Sequence, residues 1–84
     1  MKKNESQSNS WQLLDGKLRR EFIFADFPSA IAFVNKVAEV AESKNHHPDI
    51  IINYNKVTLE LWTHTEGKVT GKDYEFAENM QNPD

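Results

Sequence analysis

Residues 42–65 read ESKNHHPDIIINYNKVTLELWTHT, and the order of signals in this stretch decides how the chain folds. Pro48 has no backbone N–H and disfavours helix in the residue before it, so a helix arriving through Ala41-Glu42 must stop before the histidines. Two short runs separated by turn residues follow. Asp49 to Tyr54 is rich in isoleucine, while Val57, Leu59 and Leu61 alternate with Thr58, Glu60, Trp62 and His64, the period of two that a strand with one buried face requires. A hairpin is predicted, with Asn55-Lys56 as its two-residue turn. That turn sets His47 opposite His64 and points Trp62 and His64 away from the helix-covered side.

Working outward, Trp11 to Leu14 and Lys17 to Phe24 flank Asp15-Gly16, a pair that readily takes the positive φ values of a tight hairpin turn. The turn sets Leu14 opposite Lys17 and Leu13 opposite Leu18. Asp26-Phe27-Pro28-Ser29 then opens a helix, with Asp26 as cap and Pro28 in the first turn, where a missing N–H costs nothing. Ala30, Val34, Val37 and Ala41 form its apolar stripe, and Asn45 is expected to cap it after about Lys44. Further on, Thr70 and Asp73 have the spacing of a capping box, opening a short helix whose apolar surface is Tyr74, Phe76, Ala77 and Met80. The order β-β-α-β-β-α with tight hairpins predicts an α+β fold: two layers, a four-stranded antiparallel sheet carrying two helices on one face. Residues 1–10, MKKNESQSNS, are predicted to be a disordered polar arm, and residues 11–84 a single domain.

Composition narrows the function classes. The chain has 84 residues, a net charge of −3 and no cysteine, so disulfides and thiolate metal sites are excluded and no basic face offers itself to nucleic acid. No run approaches the length of a membrane span and no signal-type apolar region follows the N-terminal lysines. A cytoplasmic protein is expected.

The three histidines, His46, His47 and His64, are all the imidazoles in the chain, and the predicted hairpin gathers them at one end of the sheet. Imidazole exchanges protons near neutrality, and a nearby carboxylate holds its ring in one tautomer. Glu42, one turn before His46, and Asp49 and Asp73 are the carboxylates at hand. The cluster suits proton transfer without a covalent nucleophile. Taken singly, each residue has a plainer role: Glu42 on a solvated helix face, Asp49 at a strand entry, Asp73 in a capping box. Three histidines and a carboxylate could also bind zinc, but adjacent histidines lack the usual ligand spacing within one element, and neither a metal nor a cofactor is expected.

The set Glu42-x3-His46-His47-Pro48, Tyr54-Asn55-Lys56-Val57 and Thr63-His64 resembles the signature of the pterin-4a-carbinolamine dehydratases. Trp11, the Asp-Gly hairpin, Phe22-x-Phe24-x-Asp26-Phe27, Ala41-Glu42 and Asp73 extend the resemblance over roughly residues 11–81. It departs from the family in two places, a polar arm where members commonly carry an N-terminal helix and a short final helix. The resemblance implies dehydration of 4a-hydroxytetrahydrobiopterin, or a related 4a-hydroxypterin, to quinonoid dihydropterin and water, recycling the pterin used by aromatic amino-acid hydroxylases. It implies His46, His47 and His64 as acid–base and pterin-binding groups, Glu42 orienting His46, and Asp73 orienting a second imidazole. Asp49, Trp62 and Thr63 are assigned to substrate binding, Trp62 as a ring that could stack on the pterin. A homodimer or homotetramer is implied, without nucleic acid or membrane. Two alternatives stay open: a protein-binding module, since the family includes a dimerisation cofactor of a homeodomain transcription factor, and action on another pterin, as in molybdopterin metabolism.

Overall fold

The computed structural model describes residues 11–80; the predicted arm at residues 1–10 and the last four positions lie outside the described residues. The elements are β1 (Gln12–Leu14), β2 (Lys17–Ile23), α1 (Phe27–Lys44), β3 (Asp49–Asn53), β4 (Lys56–Leu61) and α2 (Gly71–Asn79). This is the predicted order, and the four strands form one antiparallel sheet in the order β1-β2-β4-β3. Asp15 and Gly16 both take positive φ, 53° and 75°, and the first hairpin has the predicted register, with Leu14 paired to Lys17 and Leu13 to Leu18.

The second hairpin turns one residue earlier than predicted. Asn53 pairs with Lys56, leaving Tyr54-Asn55 in the turn, with Tyr54 at φ 53°. The cause is tertiary. Asn55 donates from Nδ2 to the Phe24 carbonyl and accepts at its own carbonyl from the Phe24 N–H, both at 2.8 Å. Lys56 is thereby drawn into the ladder opposite Ile23. The partners across β3 and β4 consequently shift by two positions, so that the ladder, continued past its last pair, would bring Trp62 rather than His64 across from His47. An even shift leaves each side chain on its expected face.

Val57, Leu59 and Leu61 are completely buried on the inner face of β4. Ala30, Phe33, Val37 and Ala41 of α1 and Phe76 and Ala77 of α2 close over them in a single core cluster. Phe33 anchors this layer between Phe22 and Phe24, at centroid distances of 4.7 and 5.1 Å. Arg20 also lies inward, its guanidinium 4.3 Å from the Phe22 ring centre and its Nη1 donating to the Met80 carbonyl at the end of α2. A buried donor there satisfies a helix-end carbonyl that solvent cannot reach.

Asp26 caps α1 as predicted, accepting from the Ser29 N–H at 2.9 Å. Hydrogen bonds from Ser29, side chain first and backbone second, lower the Asp26 pKa from 3.8. Because the folded value is the depressed one, the stabilisation is present above the ordinary aspartate value and is lost as pH falls through the folded one. Asp26→Ala is therefore expected to lower the melting temperature at pH 7, and its gap from wild type to narrow as pH falls below 3.8. Asn55→Ala, which strands the Phe24 carbonyl, is expected to cost about 1 kcal/mol in denaturant unfolding.

Candidate active site

The end of α1 sets the first two imidazoles. Asn45 takes the left-handed conformation, φ 52°, and its N–H bonds the Glu42 carbonyl while the His46 N–H bonds that of Ala41, the two bonds of a Schellman motif. His46 is thereby turned inward beneath α2, its ring 6.3 Å from Phe76. Its Nε2 donates to Asp73 Oδ1 at 2.6 Å, in surroundings where Asp73 is wholly buried. His47, the next residue, faces outward and places Nε2 2.7 Å from Glu42 Oε2 at an exposed site.

This pairing corrects one expectation. Glu42 was expected to orient His46, but the Schellman turn carries His46 into the core layer and leaves Glu42 beside His47. An ionised carboxylate only accepts, so beside one each Nε2 carries the proton, and whenever such a ring is neutral Nδ1 is its lone-pair nitrogen.

Asp73 holds two further groups besides the His46 imidazole. Its Oδ2 accepts from the Thr70 N–H and the Thr63 hydroxyl, both at 2.8 Å, the first being the predicted capping box. The Thr63 hydroxyl has one proton and gives it to Asp73, so in its 2.6 Å contact with the Thr70 hydroxyl the latter donates. Thr63, expected to contact substrate, is 5 % exposed with its hydroxyl engaged on both sides.

Thr63 also anchors the loop that carries the third imidazole. Its N–H bonds the Lys68 carbonyl, and its own carbonyl accepts from Glu66 and Gly67. His64 projects from this loop, exposed, with its ring centre 4.1 Å from that of Trp62. The Trp62 Nε1–H donates to Asp49 Oδ2 at 3.3 Å. Asp49, also expected at the substrate, is thus turned onto the indole.

His46, His47 and His64 line one cleft of about 280 Å³, together with Trp62, Thr63 and Lys72, close to the lower bound of about 300 Å³ for small-molecule pockets. Lys72 was missed in the sequence; its position beside Asp73 on the opening turn of α2 was the available signal. A larger cleft of about 440 Å³ lies by Phe24, Phe33 and Lys36, but no histidine or carboxylate lines it. Chemistry rather than size selects the histidine cleft. Among the described residues no three His, Asp or Glu side chains converge to hold a metal ion, and no helix is long and apolar enough to cross a membrane.

Fold and cleft define a small α+β protein with carboxylate-held imidazoles opening to solvent. The sequence profile described as pterin 4 alpha carbinolamine dehydratase matches residues 1–82, and the chain belongs to that family. Relatives carrying the provisional name pterin-4-alpha-carbinolamine dehydratase include one from Picosynechococcus sp., 51% identical over 72 residues, covering 86% of this chain and 78% of the relative. One from Gloeobacter violaceus, with the same provisional name numbered 2, is 59% identical over 71 residues, covering 80% and 77%. A crystal structure of a transcriptional coactivator/pterin dehydratase from Brucella melitensis superposes with a TM-score of 0.80 at 37% identity, covering 87% of this chain and 80% of that one. A pterin dehydratase-like protein described as a RuBisCO assembly factor in the alpha-carboxysome shares the fold at a TM-score of 0.70 and 22% identity, covering 89% and 87%.

The two carboxylate–imidazole pairs are expected to respond differently to loss of charge. Asp73→Asn turns one acceptor oxygen at this wholly buried position into a donor facing a donor, and is expected to cost about 1–3 kcal/mol in denaturant unfolding. Glu42→Gln, at an exposed pair, is expected to stay within about 0.5 kcal/mol of wild type.

Proposed function

We propose that this chain dehydrates 4a-hydroxytetrahydrobiopterin, or a related 4a-hydroxypterin, to quinonoid dihydropterin and water by histidine acid–base catalysis, recycling the pterin of aromatic amino-acid hydroxylases. The observation that carries this reading is the cleft lined by three imidazoles, two of them held at Nε2 by carboxylates. Family membership supports it.

The reaction asks for two proton movements. One proton leaves N5 of the pterin as its electrons form the C4a–N5 double bond, and one reaches the hydroxyl leaving C4a as water. A neutral imidazole accepts the first through a free ring nitrogen and an imidazolium gives the second, so the ring ends the cycle as it began. His46 and His47, each with Nε2 engaged, offer Nδ1 to the substrate; His64 stands on the separate loop after β4. Asp73 and Glu42 act as positioning residues for His46 and His47. In this reading Asp49, Trp62 and Thr63 shape the wall facing the pterin, Thr63 through Asp73 and Thr70, and no metal or cofactor takes part.

The working form in this proposal is a cytoplasmic homodimer or homotetramer. Supporting it, β3 is an edge strand with Ile51 and Ile52 about two-fifths exposed (41% and 39%), an open edge of the kind that pairs with another chain. A second reading, a protein-binding module, is favoured by the Brucella relative, described as a transcriptional coactivator as well as a pterin dehydratase; it leaves the histidines dispensable.

The test follows loss of a freshly generated 4a-hydroxypterin. Wild type is expected to exceed buffer, and His47→Ala and His64→Ala to lower kcat by about 10²–10⁴-fold. A wild-type rate equal to that of buffer would sink the enzyme reading. Unimpaired turnover in both variants would sink the histidine roles.

A further inference from the structure

The three imidazoles differ in what holds them. His46 has Asp73 and His47 has Glu42, whereas His64, among the described residues, has no carboxylate partner; its ring contact is with Trp62, at 4.1 Å and 49°. That indole is itself held on two further sides, by the Asp49 carboxylate 3.3 Å from Nε1 and by the Lys17 ammonium 5.4 Å from the ring centre. Lys17 is in turn 3.6 Å from Glu60. A ring fixed at its N–H cannot rotate freely about its own χ angles, and a second ring packed on it inherits that restriction.

We propose that Trp62, fixed by Asp49, is the positioning residue of His64, an aromatic and hydrogen-bonded counterpart of the carboxylates that serve the other two imidazoles. The proposal rests on the dehydratase reading for its kinetic consequence but not for its structural one. It assigns Asp49 and Trp62 to the placement of an imidazole rather than to direct capture of substrate, a different role from stacking on the pterin. Residue types fit the task. His64 leaves β4 on a loop, where no neighbouring helix end supplies a carboxylate, and the flat face of an indole restrains a ring without competing for its nitrogens. Among the described residues neither nitrogen of His64 has a hydrogen-bond partner, and the residue lines the cleft.

The proposal is tested on the full chain with two readouts. In proton NMR, the His64 ring protons, assigned by their loss in His64→Ala, are expected to be displaced by the Trp62 ring current in wild type. The displacement is expected to vanish in Trp62→Ala, to persist in part in Trp62→Phe and to shrink in Asp49→Ala. In the Trp62→Phe background, which keeps a ring but lacks the N–H, Asp49→Ala is expected to add nothing. In pterin turnover, Trp62→Ala is expected to lower kcat by about tenfold or more with KM nearly unchanged, and Trp62→Phe to recover most of the loss. A KM that rises while kcat holds would overturn the proposal in favour of substrate stacking, and an identical His64 spectrum in wild type and Trp62→Ala would overturn it outright. If wild type shows the ring-current displacement but no turnover, the dehydratase reading fails and the positioning stands. Should Trp62→Ala not fold, Trp62→Phe, Asp49→Ala and their combination decide the matter alone.

Discussion

One buried carboxylate ties the histidine end of the molecule together. Asp73 accepts from the Thr70 N–H, the Thr63 hydroxyl and His46 Nε2, which belong respectively to the start of α2, the loop after β4 and the junction of α1 with β3. Thr63 and Thr70 lie within seven residues of each other, whereas His46 lies 27 residues before Asp73. A fully buried carboxylate is unfavourable unless its oxygens are satisfied, so burial of Asp73 requires all three donors to arrive together. The same requirement that stabilises the capping box thus places His46. Structure and chemistry share one group here, and the site is built into the fold rather than appended to it.

Much of this was legible in the sequence because the signals were local. Asp15-Gly16 specified both turn and register; Asp26 and Pro28 specified where α1 begins, and Asn45 with Pro48 where it ends. Alternation along β4 specified which side chains face the helices. The second hairpin was misplaced because its turn is chosen by a partner distant in sequence. Tyr54 at positive φ is an uncommon choice for an aromatic residue, and it is tolerated because Asn55 is captured by Phe24 from both its side chain and its backbone. No turn preference read from Tyr54 to Val57 contains that information. The error left the faces intact, since the shift was even, and His47 and His64 still reach the same cleft.

The exchange of carboxylates has a similar origin. Counting along a helix puts Glu42 one turn from His46, but the helix has ended by then. The left-handed Asn45 redirects the chain, so His46 goes inward and His47 occupies the position above Glu42. Helical spacing is a guide only while helical dihedrals persist. That Asp73 would serve as both cap and imidazole partner was legible as a possibility from its residue type and position; that it serves His46 depends on the turn at Asn45.

The surroundings divide three chemically identical side chains into three cases. His46 sits against a wholly buried carboxylate that two other groups also hold, so its ring has little freedom. His47 pairs with a carboxylate in open solvent, where such contacts are weak and salt-screened, so its ring can leave Glu42 at small cost when another partner arrives. His64 has no carboxylate and lies against an indole, which restrains the plane of the ring but leaves both nitrogens free. In the proposed reaction, which takes a proton at one atom and gives one at another, the three rings would thus enter with different partners and different freedom to move.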